Sequence, residues 1–436
     1  MSDQSEKRKF IKIISAIVII LIWAIFYIGN LSSVPFHPDE STQIFMSNDL
    51  ELIFNDTSEI IFQSPQSIGL KEKYRLLDAP ISKYLIGVSR VISGQEALSQ
   101  DWDWSKSWSE NSNAFPGHDL LFSSRLIISL LFFGSIVFMY LISKSIFSNN
   151  KIPVMAILMF FSFNALLLLH TRRAMAEGVL LFFLLLSLYS LHKLPPKWIW
   201  ASSIPISLAI NAKQSLIFLV PIGIILIIFY HALKWKTLLI QFALFTSLLF
   251  ALWYVLNPIS WKEPIAVAKI MINQRRELSS EQYNAIESVT PEFALKNVSE
   301  KMIALVAQSF ILPPAPQDVS NYETNLDISI TNYFQNLLHR GLLRNFFFGT
   351  ILFLLTIWGL GWSFFDLPKK QLIIFSLSFV LLIIEILVFI NVPFQRYYLP
   401  MIPFVIIFSI IGFFQIANFL TKKFFLSKNA TKSNLD

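Results

Sequence analysis

The sequence predicts an all-α polytopic membrane protein with about ten transmembrane helices and two extracytoplasmic loops that carry membrane-surface helices. Three observations carry this expectation. Of the 436 residues, 54% are hydrophobic and only 14% charged, whereas soluble domains carry about 25% charged residues. Apolar runs long enough to cross a bilayer core recur along the chain. Lys and Arg gather in every second interval between those runs, which is the bias that sets membrane topology. The formal net charge of +7 is therefore read as topology, and no nucleic-acid partner is expected. The chain has no cysteine, which excludes a disulfide framework and a thiolate metal site.

The apolar runs fall near 10–29, 121–147, 152–169, 174–193, 197–210, 213–231, 236–256, 346–365, 371–391 and 397–420. The first follows Lys7, Arg8 and Lys9 but is too long for a signal peptide and lacks a small-residue cleavage site, so 1–30 reads as a retained anchor. The fifth is short and reads as tilted or partly embedded. Domain organisation follows from these runs. Loop one spans 31–120, helices two to seven span 121–256, loop two spans 257–345, helices eight to ten span 346–420, and 421–436 is a tail. Both long loops follow odd-numbered spans and so share one side. Lys7, Arg8, Lys9 and Lys12, then Lys144 and Lys151, Lys193 and Lys197, Lys234 and Lys236, Lys369 and Lys370, and Lys422 and Lys423 lie on the other. Those cations put both termini in the cytoplasm of a multi-pass plasma-membrane protein.

Loop one opens with His37-Pro-Asp-Glu40. Pro38 suits the first helical position, which puts Asp39 and Glu40 in a first turn beside the membrane. A carboxylate there can deprotonate a hydroxyl while a second substrate stays anchored in lipid; the pair also simply complements a helix N-terminus. Residues 38–52 suit a helix lying on the membrane. A second such helix runs from Asp78 to Arg90, with Pro80 near its start and Ile81, Tyr84, Leu85 and Val88 on one face. Trp102, Trp104 and Trp108 follow and read as interfacial anchors, with sugar stacking as the alternative. Asp101-Trp-Asp103 is only a weak metal motif.

Between the spans, a few cations occupy outer-side turns against the topological bias: Arg172 and Arg173, Lys213, and Arg396. A shared anionic ligand, a lipid phosphate above all, gives them a reason to be there, and snorkelling to ordinary headgroups is the alternative. Arg173 and Glu177 stand four apart, so a helix would pair them, either for structure or to hold Arg173 towards a phosphate. Loop two opens with Asn257-Pro-Ile-Ser-Trp261-Lys-Glu-Pro264, continues through a polar helical stretch with Arg275 and Arg276, and breaks at Pro313-Pro-Ala-Pro316, as a flap over a site would. The chain shows no internal repeat, no Gly-rich phosphate loop and no Ser/His/Asp array.

Taken in order, several segments resemble the integral-membrane glycosyltransferases of the GT-C class, in the branch of protein O-mannosyltransferases and lipid A aminoarabinose transferases. They are Pro38-Asp-Glu40, Asp78-Ala-Pro-Ile-Ser-Lys83, Arg173-Ala-Met-Ala-Glu177, Ala212-Lys213, Asn257-Pro with Trp261-Lys-Glu-Pro264, and Arg396-Tyr397-Tyr-Leu-Pro400. The second segment departs from the branch's usual pair of prolines. The resemblance implies a GT-C fold and an inverting transfer of a sugar from a polyprenyl-phosphate donor to a hydroxyl acceptor on protein, lipid or glycan, among membrane lipids. It implies Asp39 or Glu40 as the base. Glu40 or Asp78 would position the acceptor, and Arg173, Lys213, Arg396 and Lys83 would serve the phosphate, with Glu177 and Tyr397 beside them. No metal cofactor is expected, because fixed cations can neutralise the phosphate; the alternative is a divalent ion on Asp39, Glu40 and Asp101. A polyprenyl-lipid flippase or transporter is the other reading, opposed by only 13 Gly and no repeated halves.

Overall fold

The structure, a computed structural model, describes residues 18–63, 68–148, 150–318 and 323–432, with side chains as far as 421. The start of the first expected span and its flanking Lys7, Arg8, Lys9 and Lys12 lie outside the described residues, as do the side chains of Lys422 and Lys423. All regular structure among the described residues is helical. In chain order the helices are α1 (Val18–Gly29), α2 (Pro38–Met46), α3 (Asp49–Asn55), α4 (Leu70–Leu77), α5 (Ile81–Ile92), α6 (His118–Ile146), α7 (Lys151–Ser162), α8 (Ala165–His170), α9 (Ala176–Lys193), α10 (Ser203–Ala212), α11 (Leu219–His231), α12 (Trp235–Leu256), α13 (Pro264–Val289), α14 (Val298–Val306), α15 (Glu323–Phe334), α16 (Leu337–Arg340), α17 (Phe346–Asp366), α18 (Lys369–Phe389) and α19 (Ile402–Lys432).

Seven stretches among the described residues are long and apolar enough to cross a membrane: α6, α9, α12, α17, α18, Gln214–His231 and Gln395–Thr421. The remaining expected spans are built differently. The run 152–169 breaks at Phe163-Asn164, where Asn164 caps a new helix by accepting from the Leu166 and Leu167 amides, so α7 and α8 share it. The run 197–210 is a tight turn followed by the ten-residue α10. Helices α17 and α19 cross at glycines: a Cβ on Gly359 would meet Phe408 O at 1.8 Å, and one on Gly412 would meet Leu355 O at 2.2 Å. Only glycine lets two membrane helices approach this closely. The core between the helices is aliphatic and aromatic, with Phe132, Phe161, Leu181, Ile222, Phe375 and Phe404 among its buried members.

Loop one is a folded layer. Helix α2 is opened by His37, whose Nδ1 accepts from the Asp39 amide at 3.1 Å, while Glu40 accepts from the His37 amide at 3.1 Å. This reciprocal cap, with Pro38 inside the first turn, explains why the helix starts where it does. The expected helix 38–52 is interrupted by a turn at Ser47-Asn48, and α3 continues it. Helix α5 has a second face besides Ile81, Tyr84, Leu85 and Val88. Its buried residues include Lys83, Ile86, Gly87 and Arg90, and Val88 is exposed. The reason is charge: Lys83 and Arg90 turn inward to Asp49 and Glu51 on α3. Trp102 and Trp108 pack with Phe36 and Phe115 into an aromatic core of the loop, Trp102 fully buried and Trp108 half-buried.

Glu40 ties this layer to the helical bundle. Both its oxygens accept from Arg125 of α6, at 2.7 Å each, and Oε2 also accepts from the Ala174 amide just before α9 at 2.9 Å. Arg125 donates its remaining bonds to Leu31 O and Val34 O, 2.8 and 2.9 Å away, where the chain leaves α1. Burial pushes the Glu40 carboxyl up, but Arg125, helped by Arg173 and the Ala174 amide, outweighs it and holds the group below the usual carboxylate range. Arg125→Met leaves a buried carboxylate unpaired and is expected to cost about 3–5 kcal/mol, whereas Arg125→Met with Glu40→Gln recovers part of the loss. Thermal unfolding in detergent micelles reads both; equal stability of Arg125→Met and wild type would remove the pair from this role.

Candidate active site

The ends of α2, α4, α9, α10 and α13, the strap 313–318 and the turn before α19 enclose one cavity of about 1010 Å³. Spans entering from opposite directions thus present the expected outer-side turns to a single space. The intervals expected on the other side also meet one another, where Lys370 reaches Leu194 O at 2.9 Å and Gln371 reaches Ser145 O at 3.3 Å.

Asp39 lines the cavity with its side chain 30% exposed, and it is ion-paired with Arg396. The same guanidinium places Nε 2.7 Å from Asp318 Oδ2, and Asp318 also meets His37 Nε2 at 3.2 Å. His37 holds the Asp39 backbone through its other nitrogen, so one connected cluster orients Asp39. Burial pushes the Asp318 carboxyl up, but Arg396 and His37 outweigh that and hold it well below the usual range. Lys213 pairs with Glu177 at 2.6 Å on the cavity wall. Tyr397 stacks between the cations, with Arg396 5.6 Å and Lys213 5.5 Å from its ring centre. Asp78 lines the same wall; burial pushes its carboxyl up, Arg275 opposes this, and Asp39 adds to it.

Three expected site residues lie elsewhere. Glu40 is fully buried against Arg125 and does not line the cavity. Lys83 donates to Asp49 at 2.9 Å, a carboxylate that also holds Arg75 at 2.7 Å, so it is a buried strut away from the cavity wall. Arg173 donates to Pro35 O at 3.0 Å and to Pro316 O at 2.5 Å and lashes the strap to the bundle. It does not pair with Glu177, because Met175 is extended (φ −136°, ψ 173°) and α9 begins only at Ala176, so no helical turn joins the two. Of the residues in the alternative divalent-ion set, Glu40 is engaged by Arg125, and Asp101 accepts from Tyr74.

Arg275, Gln317 and Asp318 line the cavity without having been placed there from the sequence. Arg275 stands on the exposed polar face of α13, and no carboxylate among the described residues lies within ion-pair distance of it. Its position in a polar stretch of loop two, together with the Pro-rich break before Gln317 and Asp318, is the signal that could have found them. Trp104, alone of the three loop-one tryptophans, lines the cavity.

Residues 70–269 match the family model described as dolichyl-phosphate-mannose-protein mannosyltransferase. Over that segment the chain is similar to a family of GT-C glycosyltransferases, as its motifs suggested. The segment contains Asp78, Glu177 and Lys213 and stops short of Arg275, Asp318 and Arg396. No curated protein matches the chain.

The Asp49 strut yields a test with a definite sign. Burial pushes the Asp49 carboxyl up, but Lys83 and Arg75 together hold it below its ordinary value. A depressed carboxylate stabilises the fold above the unfolded pKa, about 3.9, and that contribution is lost as pH falls through the native value. Asp49→Asn is therefore expected to lower the melting temperature at pH 7, with the gap to wild type narrowing below about pH 4. A gap that stays constant from pH 7 to pH 3 would contradict the assignment.

Proposed function

We propose that this chain is an inverting glycosyltransferase that moves a sugar from a polyprenyl monophosphate to a hydroxyl acceptor in the cavity walled by Asp39. The observation that supports this most is the company Asp39 keeps. It is a partly exposed carboxylate, oriented by Arg396 and His37, in a cavity that also presents Lys213 and Arg275. Asp39 accepts the proton of the acceptor hydroxyl while that oxygen attacks the anomeric carbon. The bond from that carbon to the phosphate oxygen breaks on the opposite face, and its electron pair leaves with polyprenyl phosphate. Lys213, Arg275 and Arg396 offset the growing phosphate charge. Glu40 is left with a structural role, because Arg125 takes both its oxygens.

An apolar wall supports the lipid half of the donor. Leu278, Ile286, Val289 and Phe293 of α13 and its following turn, with Leu70 of α4, line the same cavity and suit a prenyl chain. The family match favours mannose as the sugar and a protein hydroxyl as the acceptor. Fixed cations supply the charge, so we assign no metal to the reaction. The lysine distribution supports an extracytoplasmic cavity in the plasma membrane with both termini in the cytoplasm.

The test uses full-length protein in lipid vesicles with polyprenyl-phosphate mannose and other polyprenyl-phosphate sugars, following the release of polyprenyl phosphate. Wild type turns over at least one donor, and Asp39→Asn loses about 10²–10⁴-fold in kcat while still binding it. Arg275→Gln lowers kcat/KM for the donor about 10- to 100-fold, the range for a lost charge-assisted hydrogen bond, and EDTA leaves wild-type turnover unchanged. Turnover that survives Asp39→Asn would remove Asp39 from the role of base.

A further inference from the structure

Besides Arg396, whose Nε faces Asp318, two side chains at the cavity have buried polar atoms without partners. Glu177 gives Oε1 to Lys213 at 2.6 Å, while Oε2, equally shielded, accepts nothing. Gln317 buries both its amide oxygen and its amide nitrogen without a hydrogen bond. His170, which lies within electrostatic reach of Glu177 and Asp318, is fully buried with neither ring nitrogen partnered. Folded proteins seldom leave such groups unsatisfied, and each costs about 1–3 kcal/mol when it is. Glu177 and Gln317 both line the cavity, so a rotation of either side chain would turn its free atoms to a ligand.

Their positions say which part of the ligand. Glu177 is joined through its other oxygen to Lys213, and Gln317 immediately precedes Asp318, which holds Arg396. Both therefore adjoin the cations assigned to the donor phosphate, where the group carried on that phosphate must sit. We infer that Glu177 and Gln317 form the subsite that reads the hydroxyls of the donor sugar; this rests on the glycosyltransferase reading above. The chemistry of the free atoms specifies the sugar class. Glu177 Oε2 and Gln317 Oε1 only accept, and Gln317 Nε2 only donates. A neutral sugar with neighbouring hydroxyls gives two hydrogens and receives one, matching all three. A uronate would set its carboxylate against Glu177, and an ammonium, which only donates, would satisfy the two acceptors but leave Gln317 Nε2 without one.

Gln317 is the clean probe, because its side-chain amide holds nothing else together. Vesicle-reconstituted wild type would be compared with Gln317→Ala on polyprenyl-phosphate mannose and on its 2-, 3- and 4-deoxy analogues. Wild type disfavours at least one deoxy donor by about 10- to 100-fold in kcat/KM, and Gln317→Ala shrinks that preference to below about threefold by slowing only the parent donor. Gln317→Glu, which keeps the shape but exchanges the donor for an acceptor, shifts the preference in the same direction and serves if the alanine variant folds poorly. Unchanged discrimination in both variants, the result expected if these atoms hold only ordered water, overturns the subsite while leaving the transferase reading intact. Tighter use of a polyprenyl-phosphate amino sugar than of mannose by wild type overturns the neutral-sugar assignment. An inactive wild type with every donor removes the transferase reading, and the subsite with it.

Discussion

The buried pair of Glu40 and Arg125 is the constraint from which the site is built. A carboxylate and a guanidinium taken out of water are stable only when nearly every lone pair and proton is used, and here they are. The consequence is geometric. One carboxylate accepts from α6, from the backbone before α9 and from the His37 amide, so three segments distant in sequence are held at one point. Asp39 is the next residue back along α2 and points a different way from Glu40 around the same helical turn. The acid that faces the cavity is therefore aimed by the acid that does not.

This division of labour shows why an adjacent pair of acids cannot be split by inspection. Asp39 and Glu40 have the same chemistry and nearly the same distance from the first span, and they differ locally only in that Glu40 stands at the position that caps His37. Only the partner on α6, some 85 positions away, decides which is fixed in the interior. Arg125 lies at the outer end of the second apolar run, where a cation needs a partner, but nothing in the sequence says that the partner is Glu40. The capping of α2 was legible because it depends on neighbours; the assignment of roles was not, because it depends on a tertiary contact.

The same distinction runs through the rest of the chain. The all-helical polytopic class and the meeting of the outer turns at one cavity follow from apolar run lengths and lysine parity. Asp39, Asp78, Glu177, Lys213, Arg396 and Tyr397 all line that cavity. Lys83 and Arg173 were misplaced for one reason: their cationic side chains were weighed against a ligand, while a buried carboxylate or carbonyl was available nearby in the fold. The pairing of Arg173 with Glu177 failed on a single extended residue, Met175, which periodicity cannot detect. Loop two was least legible. Arg275, Gln317 and Asp318 stand in a polar region with no periodic constraint, and only the chain's path back over the cavity brings them to it.

Charge balance ties these elements to the chemistry. Among the described residues lining the cavity, Arg396 is shared by two carboxylates and Lys213 is matched by one, whereas Arg275 stands unpaired. An incoming phosphate competes with Asp39 and Asp318 for Arg396 and with Glu177 for Lys213, whereas at Arg275 it meets only the longer-range charge of Asp78. Capture through Arg275 would come first, followed by a shift of Arg396 towards the phosphate that loosens its hold on Asp39. On the proposed reaction, Asp39 would be held by Arg396 until an anion draws that guanidinium away, and would act as a base only then. A carboxylate paired in this way is poorly placed to activate water or a stray hydroxyl, so on that reading the pairing of Asp39 with Arg396 would favour transfer over idle hydrolysis.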